Sequence, residues 1–127
     1  MISLFSRELI IIGDKAFPVN ALSVEEIKSF FLNKKSFIEN QKVLVINYEY
    51  NNNLRNCFEK IILNKNKKSL EKYWRKAYYK GLKPPKIVKS TTMLYAYFKE
   101  VTPSIGYINA KDIKEKDMKI LYRSECP

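Results

Sequence analysis

The sequence predicts an α/β fold, a central mixed sheet flanked by about four helices. Three observations carry this. Short continuous apolar runs of strand length, Leu9–Ile12 and Val43–Ile46 foremost, alternate with segments of helical period. Helix starts and stops are written in side-chain chemistry, at Ser23 with Glu26 and at Gly81 before Pro84-Pro85. The chain of 127 residues is 46% hydrophobic, enough for one core in one domain, and shows no internal repeat or low-complexity linker.

The elements read in order as follows. Leu9-Ile10-Ile11-Ile12, closed by Gly13-Asp14, has the character of a buried strand. Ser23 and Glu26 form an S-x-x-E capping box, and Val24, Ile27, Phe30 and Phe31 recur at helical spacing, so a helix is expected over about 24 to 32. NKKSFIENQ reads as a polar turn around Phe37 and Ile38. Val43–Ile46 is a second buried strand, and Leu54, Phe58, Ile61 and Ile62 share one face of a second helix. NKNKK is a solvated break.

Ser69 is then the expected cap of a third helix, whose apolar stripe is Leu70, Tyr73, Trp74, Ala77 and Tyr78. Gly81 ends it, and Pro84-Pro85 prevents continuation. Lys86-Ile87-Val88 is a short strand. Ser90 or Thr91 caps a fourth helix carrying Leu94, Tyr97, Phe98 and Val101 on one side, stopped by Thr102-Pro103. Ile105–Ile108 and Lys119–Tyr122 are strands, giving the order β-α-β-α-α-β-α-β-β. Gly106 stands out, because glycine inside a strand usually marks a bulge or a close backbone approach.

The net charge is +11, from 24 Lys and Arg against 13 Asp and Glu. That balance suits nucleic acid, an anionic membrane or acidic partners without choosing among them. The abundance of Lys and Asn together has the look of genome composition. Histidine is absent, which removes the commonest general base and neutral metal ligand. Cys57 and Cys126 lack the spacing of a zinc site, and the plainer reading is two free thiols. No run approaches the roughly 20 apolar residues that cross a bilayer. Residues 1–7 read as the remnant of a signal region or as a flexible N-terminus, and 123–127 as a tail.

Little here points to catalysis. Glu25 and Glu26 sit in a helix's first turn, where they complement its dipole; Asp112, Glu115 and Asp117 are interleaved with Lys as on a solvated loop. No metal or cofactor is called for. Two segments remain as binding candidates. Asn51-Asn52-Asn53 opens the helix at Leu54, with Arg55 one turn in; exposed N–H groups there form a generic anion site, although Asn commonly does no more than cap. Residues 65–89 hold ten basic side chains and one acid, interleaved with Tyr73, Trp74, Tyr78 and Tyr79. Nucleic-acid binders combine such features, but aromatics at helical spacing are more often core.

Three motifs in fixed order carry a family resemblance. FPVNALSVEEIKSFFLNKK matches the family's "nPvssLsreelrdiFlgk", KYWRKAYYKGLKPPK matches "yW.r..f.G...pP", and VTPSIGYI matches "tpGaIGYv". From about Glu8 to Tyr122 the chain resembles the PstS-like substrate-binding proteins of phosphate ABC transporters. The resemblance implies a type 2 periplasmic-binding-protein-like single lobe, an extracytoplasmic or periplasmic setting, and phosphate or a similar oxyanion as ligand.

In the family part of the site is a Gly-Ser-rich turn opening a helix. That turn falls on Tyr50-Asn51-Asn52-Asn53, with Asn52 at the serine and Asn51 and Asn53 at the glycines. The implied ligand-binding residues are therefore Asn51, Asn52, Asn53, Leu54 and Arg55. Losing the small residues narrows backbone access, and losing the hydroxyl removes one donor. A single lobe cannot close around a ligand, so burial is expected to be incomplete and affinity weak unless a second chain supplies the other wall. One alternative keeps the fold without the ligand, as an interaction or sensory partner of a membrane transporter or signalling protein. The other, less favoured, is a nucleic-acid-binding protein using 65–89.

Overall fold

The computed structural model describes residues 7–127. A five-stranded mixed sheet forms its centre, in the order β5-β4-β6-β1-β7. The strands are β1 (Glu8–Asp14), β4 (Leu44–Tyr48), β5 (Lys86–Val88), β6 (Ser104–Asn109) and β7 (Met118–Glu125), with β2 (Phe37–Ile38) and β3 (Gln41–Lys42) forming a small separate hairpin. The α-helices are α1 (Val24–Phe31), α2 (Asn53–Phe58), α3 (Lys67–Tyr79) and α4 (Thr91–Glu100). β4 is parallel to β5 and β6, while β1 is antiparallel to β6 and β7. The expected α/β architecture, a central mixed sheet flanked by four helices, holds.

Local chemistry explains most boundaries. Ser23 and Glu26 form the full capping box on α1, each side chain accepting the other residue's backbone N–H. α3 ends in a Schellman motif: Gly81 at φ 81° donates to Tyr78 O, and Leu82 donates to Ala77 O. α2 runs on as one turn of π-helix, Glu59–Leu63, and ends at Asn64 in the left-handed region.

The structure corrects five expectations. The turn around Phe37 is a hairpin, closed by Glu39 and Asn40 at φ 46° and 68°, the primed-turn conformation that matches strand twist. α3 starts at Lys67 inside the supposed break, because the Asn66 side chain accepts from Ser69 N and is itself the cap. Tyr78 leaves the apolar stripe and is 75% exposed. Residues 123–127 are not a loose tail: β7 pairs with β1 as far as Glu8 and Glu125, and Cys126 N donates to Arg7 O. That pairing carries Cys126 to α2, where it forms a disulfide with Cys57, their Cα atoms 5.6 Å apart. Neither thiol is free. Sequence distance had hidden a contact that the last strand creates. Of the N-terminal segment 1–7, residues 1–6 lie outside the described residues.

The core covers both sheet faces. Leu9, Ile10, Ile11 and Ile12 are all fully buried in the middle of the sheet. Side chains alternate along β6, so Gly106 and Tyr107 point to opposite faces. Tyr107 stacks on Phe58 of α2 at 4.2 Å between ring centres, with Phe31 of α1 at 5.9 Å. On the other face, a Cβ built on Gly106 would stand 2.6 Å from Leu94 Cδ1 of α4. The glycine thus lets α4 lie against β6, the close approach that its place in a strand suggested. Gly106→Ala is expected to cost about 1–3 kcal/mol by overpacking against a fully buried leucine. Urea denaturation checks this, and adding Leu94→Ala should cost less than the sum of the single changes.

Where β1 ends and β6 begins, Asp14 bridges the two strands. Its buried carboxylate accepts from Ser104 N at 2.7 Å and from Ala16 N at 3.0 Å.

Candidate functional site

Beyond the carboxyl ends of β4, β5 and β6 lies an open cleft of about 810 Å³. In open α/β sheets ligands bind in the crevice beyond these strand ends, where strand order reverses. Here β4, β5 and β6 follow in sequence but lie in the order β5-β4-β6, so the reversal falls at β4. The first turns of α2 and α4 both open onto the cleft, through Asn52–Leu54 and Ser90–Thr91. Lys60, Lys111 and Asp112 supply its charged groups, and the Cys57–Cys126 disulfide lies in its wall.

Each helix start is built by a cap. Asn52 is extended, at φ −64° and ψ 131°, and its Oδ1 accepts from Arg55 N at 2.9 Å. Ser90 Oγ accepts from Met93 N at 3.2 Å. One donor of each first turn is thereby satisfied. The N–H groups of Asn53 and Leu54 have no acceptor among the described residues, and both residues line the cleft. Uncompensated N–H groups at the positive end of a helix attract negative charge.

The loop between β4 and α2 is held from behind. Glu59 has a side chain only 4% exposed, and its two carboxylate oxygens pair separately with Arg55 Nε at 2.8 Å and Lys67 Nζ at 2.7 Å. Arg55 Nη1 also donates to Tyr48 O, and Lys67 Nζ donates to Tyr50 O. Both cations lie against the Tyr50 ring, Lys67 at 4.2 Å and Arg55 at 5.7 Å. The network clamps residues 48–50 and so fixes where α2 begins.

The five sequence-predicted residues therefore separate. Asn52, Asn53 and Leu54 line the cleft, Asn51 is exposed outside it, and the Arg55 guanidinium is committed to Glu59 and Tyr48. Arg55 lines a different groove, with Trp74, Tyr78 and Pro85. The cations at the cleft are Lys60 and Lys111, which sequence reading did not single out. Only the helix-cap pattern at Ser90 pointed to the second helix start. Asn109 ends β6 at the cleft and accepts from Lys111 N.

Tyr48 forms the inner wall. Burial pushes its hydroxyl up to about 12, so it stays protonated and donates to Tyr107 O at 2.8 Å. Among the described residues no three His, Cys, Asp or Glu side chains gather as a metal site would require. No helix among them is long and apolar enough to cross a membrane.

Comparison with solved structures places this architecture. An ABC-type phosphate transport receptor from Vibrio cholerae matches with a TM-score of 0.70 at 16% identity, over 93% of this chain and 47% of the receptor. A putative phosphate ABC transporter substrate-binding protein with bound phosphate from Clostridium perfringens matches at 0.69 and 16%, over 91% and 45%. PstS from Borrelia burgdorferi matches at 0.65 and 18%, over 91% and 47%. The chain has the fold of one PstS-like lobe and spans less than half the length of these proteins. No protein-family model matches the sequence, and no curated protein does.

Proposed function

We propose that this lobe is an extracytoplasmic solute-binding module that takes phosphate or a similar oxyanion in the cleft at the start of α2. The observation that carries the reading is the pair of unaccepted N–H groups on Asn53 and Leu54, two residues that line a cleft also lined by Lys60 and Lys111. The likeness to phosphate receptors supports the same ligand class. The disulfide supports an oxidising compartment, since thiols are kept reduced in the cytosol. A membrane transporter or sensor fits as the partner of such a module. An open, one-walled cleft leaves the anion partly hydrated, so affinity is weak until another polypeptide closes it.

Calorimetric titration with phosphate and with sulfate, in low-salt buffer, tests the reading. Binding on the order of 1 mM is expected for the isolated lobe. Asn53→Pro is the informative variant. Proline is tolerated at the first helical position, and the extended Asn52 suits a following proline, so the fold is kept while one cleft N–H disappears. Losing one charge-assisted hydrogen bond should weaken binding about tenfold or more. Asn52→Asp keeps the cap but adds a negative charge, and should abolish binding. Absence of heat with either anion, or unchanged affinity in both variants, overturns the proposal.

A further inference from the structure

The net charge is not spread over the chain. Residues 65–89 hold ten bases and one acid, so they carry +9 of the total +11, and the rest of the sequence is nearly balanced. Genome composition does not concentrate charge in this way. The structure gathers it further. Lys68, Lys72, Arg75, Lys76 and Tyr79 recur at helical spacing on the outward side of α3, opposite buried Leu70 and Ala77. All five are exposed, and none of the four cations is ion-paired among the described residues. The one acid, Glu71, accepts a hydrogen bond from Tyr50. Exposed Lys80, Lys83 and Lys86 extend the patch past the end of the helix.

Within it lie exposed rings that the core does not use. Tyr79 is 89% exposed and Tyr78 75%, with Ile87 and Pro84 exposed nearby. Two tyrosines at the surface of a lysine-rich helix have no folding role to explain them.

We propose that this face of α3 docks reversibly on a lipid surface bearing anionic headgroups. Charge complementarity favours that occupant, because each unpaired cation near such a surface is drawn to it. The chemistry of the face suits the headgroup layer: long lysine stems with terminal charges, and amphipathic tyrosine rings that sit between water and hydrocarbon. Lys68, Lys72 and Lys76 lie on the outward side of α3, while Arg75 and Tyr79 border the groove that holds Trp74 and Tyr78, so most of this charge sits on a convex face rather than along a channel that could track a nucleic-acid strand. The disulfide also fits a compartment where a membrane, not nucleic acid, is the prevalent polyanion.

Vesicle co-sedimentation tests it, using phosphatidylglycerol mixed with phosphatidylcholine against phosphatidylcholine alone. The protein should pellet with the anionic vesicles in low salt, be released in high salt, and ignore the neutral ones. Lys72→Gln/Lys76→Gln should lower the partition coefficient about 30-fold, and Tyr79→Ser by a smaller factor. Lys99→Gln/Lys116→Gln, an equal charge loss elsewhere on the surface, should change it little. Equal loss in both double variants would reduce the effect to net charge and overturn the proposal. So would failure to pellet with anionic vesicles. Displacement from vesicles by a short single-stranded oligonucleotide that binds more tightly, with the same dependence on Lys72 and Lys76, would reassign the face to nucleic acid.

Discussion

Removing the Cys57–Cys126 disulfide is expected to destabilise the lobe by about 4 kcal/mol. The bond closes a loop of 69 residues, and in the chain-entropy account a crosslink over that span restricts the unfolded chain by about that amount. It also anchors the last strand to α2 beside the cleft, so the loss falls where β7 meets the helix. Equilibrium denaturation with and without reductant measures it, with Cys57→Ser/Cys126→Ser as the companion variant. Equal midpoints in oxidised and reduced protein would show that the crosslink adds nothing. The proposed compartment gains a second support from a large effect, since a lobe this dependent on the bond is poorly suited to a reducing one.

Glu59→Gln is expected to cost about 3 kcal/mol, the second large effect. The carboxylate is nearly inaccessible and holds Arg55 and Lys67 together, so neutralising it leaves two partly buried cations beside the Tyr50 ring without their shared counter-charge. Glu8, paired with exposed Arg123, provides the contrast: Glu8→Gln should cost less than about 1 kcal/mol, because water screens that pair. If both variants unfold at the same denaturant concentration, the clamp behind α2 is not structural. Because the same network fixes residues 48–50, Glu59→Gln should also weaken any anion binding at the start of α2, even though Glu59 lies outside the cleft.

The fold was legible because its signals are local. Leu9–Ile12, the capping box at Ser23 and the stop at Gly81 each encode an element within a few residues, and all three hold in the structure. Part of what failed depended on contacts far apart in the chain. Cys57 and Cys126 meet only because β7 is drawn alongside β1, a pairing no local pattern announces. Asn66 rather than Ser69 caps α3, since both residues are good caps and only backbone geometry chooses between them.

The candidate site was half legible for the same reason. Asn52–Leu54 could be found because the cap and the helix start are adjacent in sequence. Lys111, Ser90 and Lys60 reach the cleft from three separate elements. Arg55 illustrates the opposite error: its position near the turn suggested a ligand charge, but Glu59 one turn later claims it.

The placement of β1 bears on how the molecule is made. The first strand lies between β6 and β7, which are its only neighbours in the sheet and begin at residues 104 and 118. A ribosome delivers Leu9–Ile12 long before either partner exists, and these four apolar side chains have no sheet to enter until β6, from Ser104 on, has emerged. The parallel pair of β4 and β5 meets a shorter delay, because Ile46 and its partner Lys86 are nearer in sequence than Ile10 and its partner Ile108. Assembly on synthesis is thus two-phased, with the most apolar strand waiting longest and exposed meanwhile to self-association.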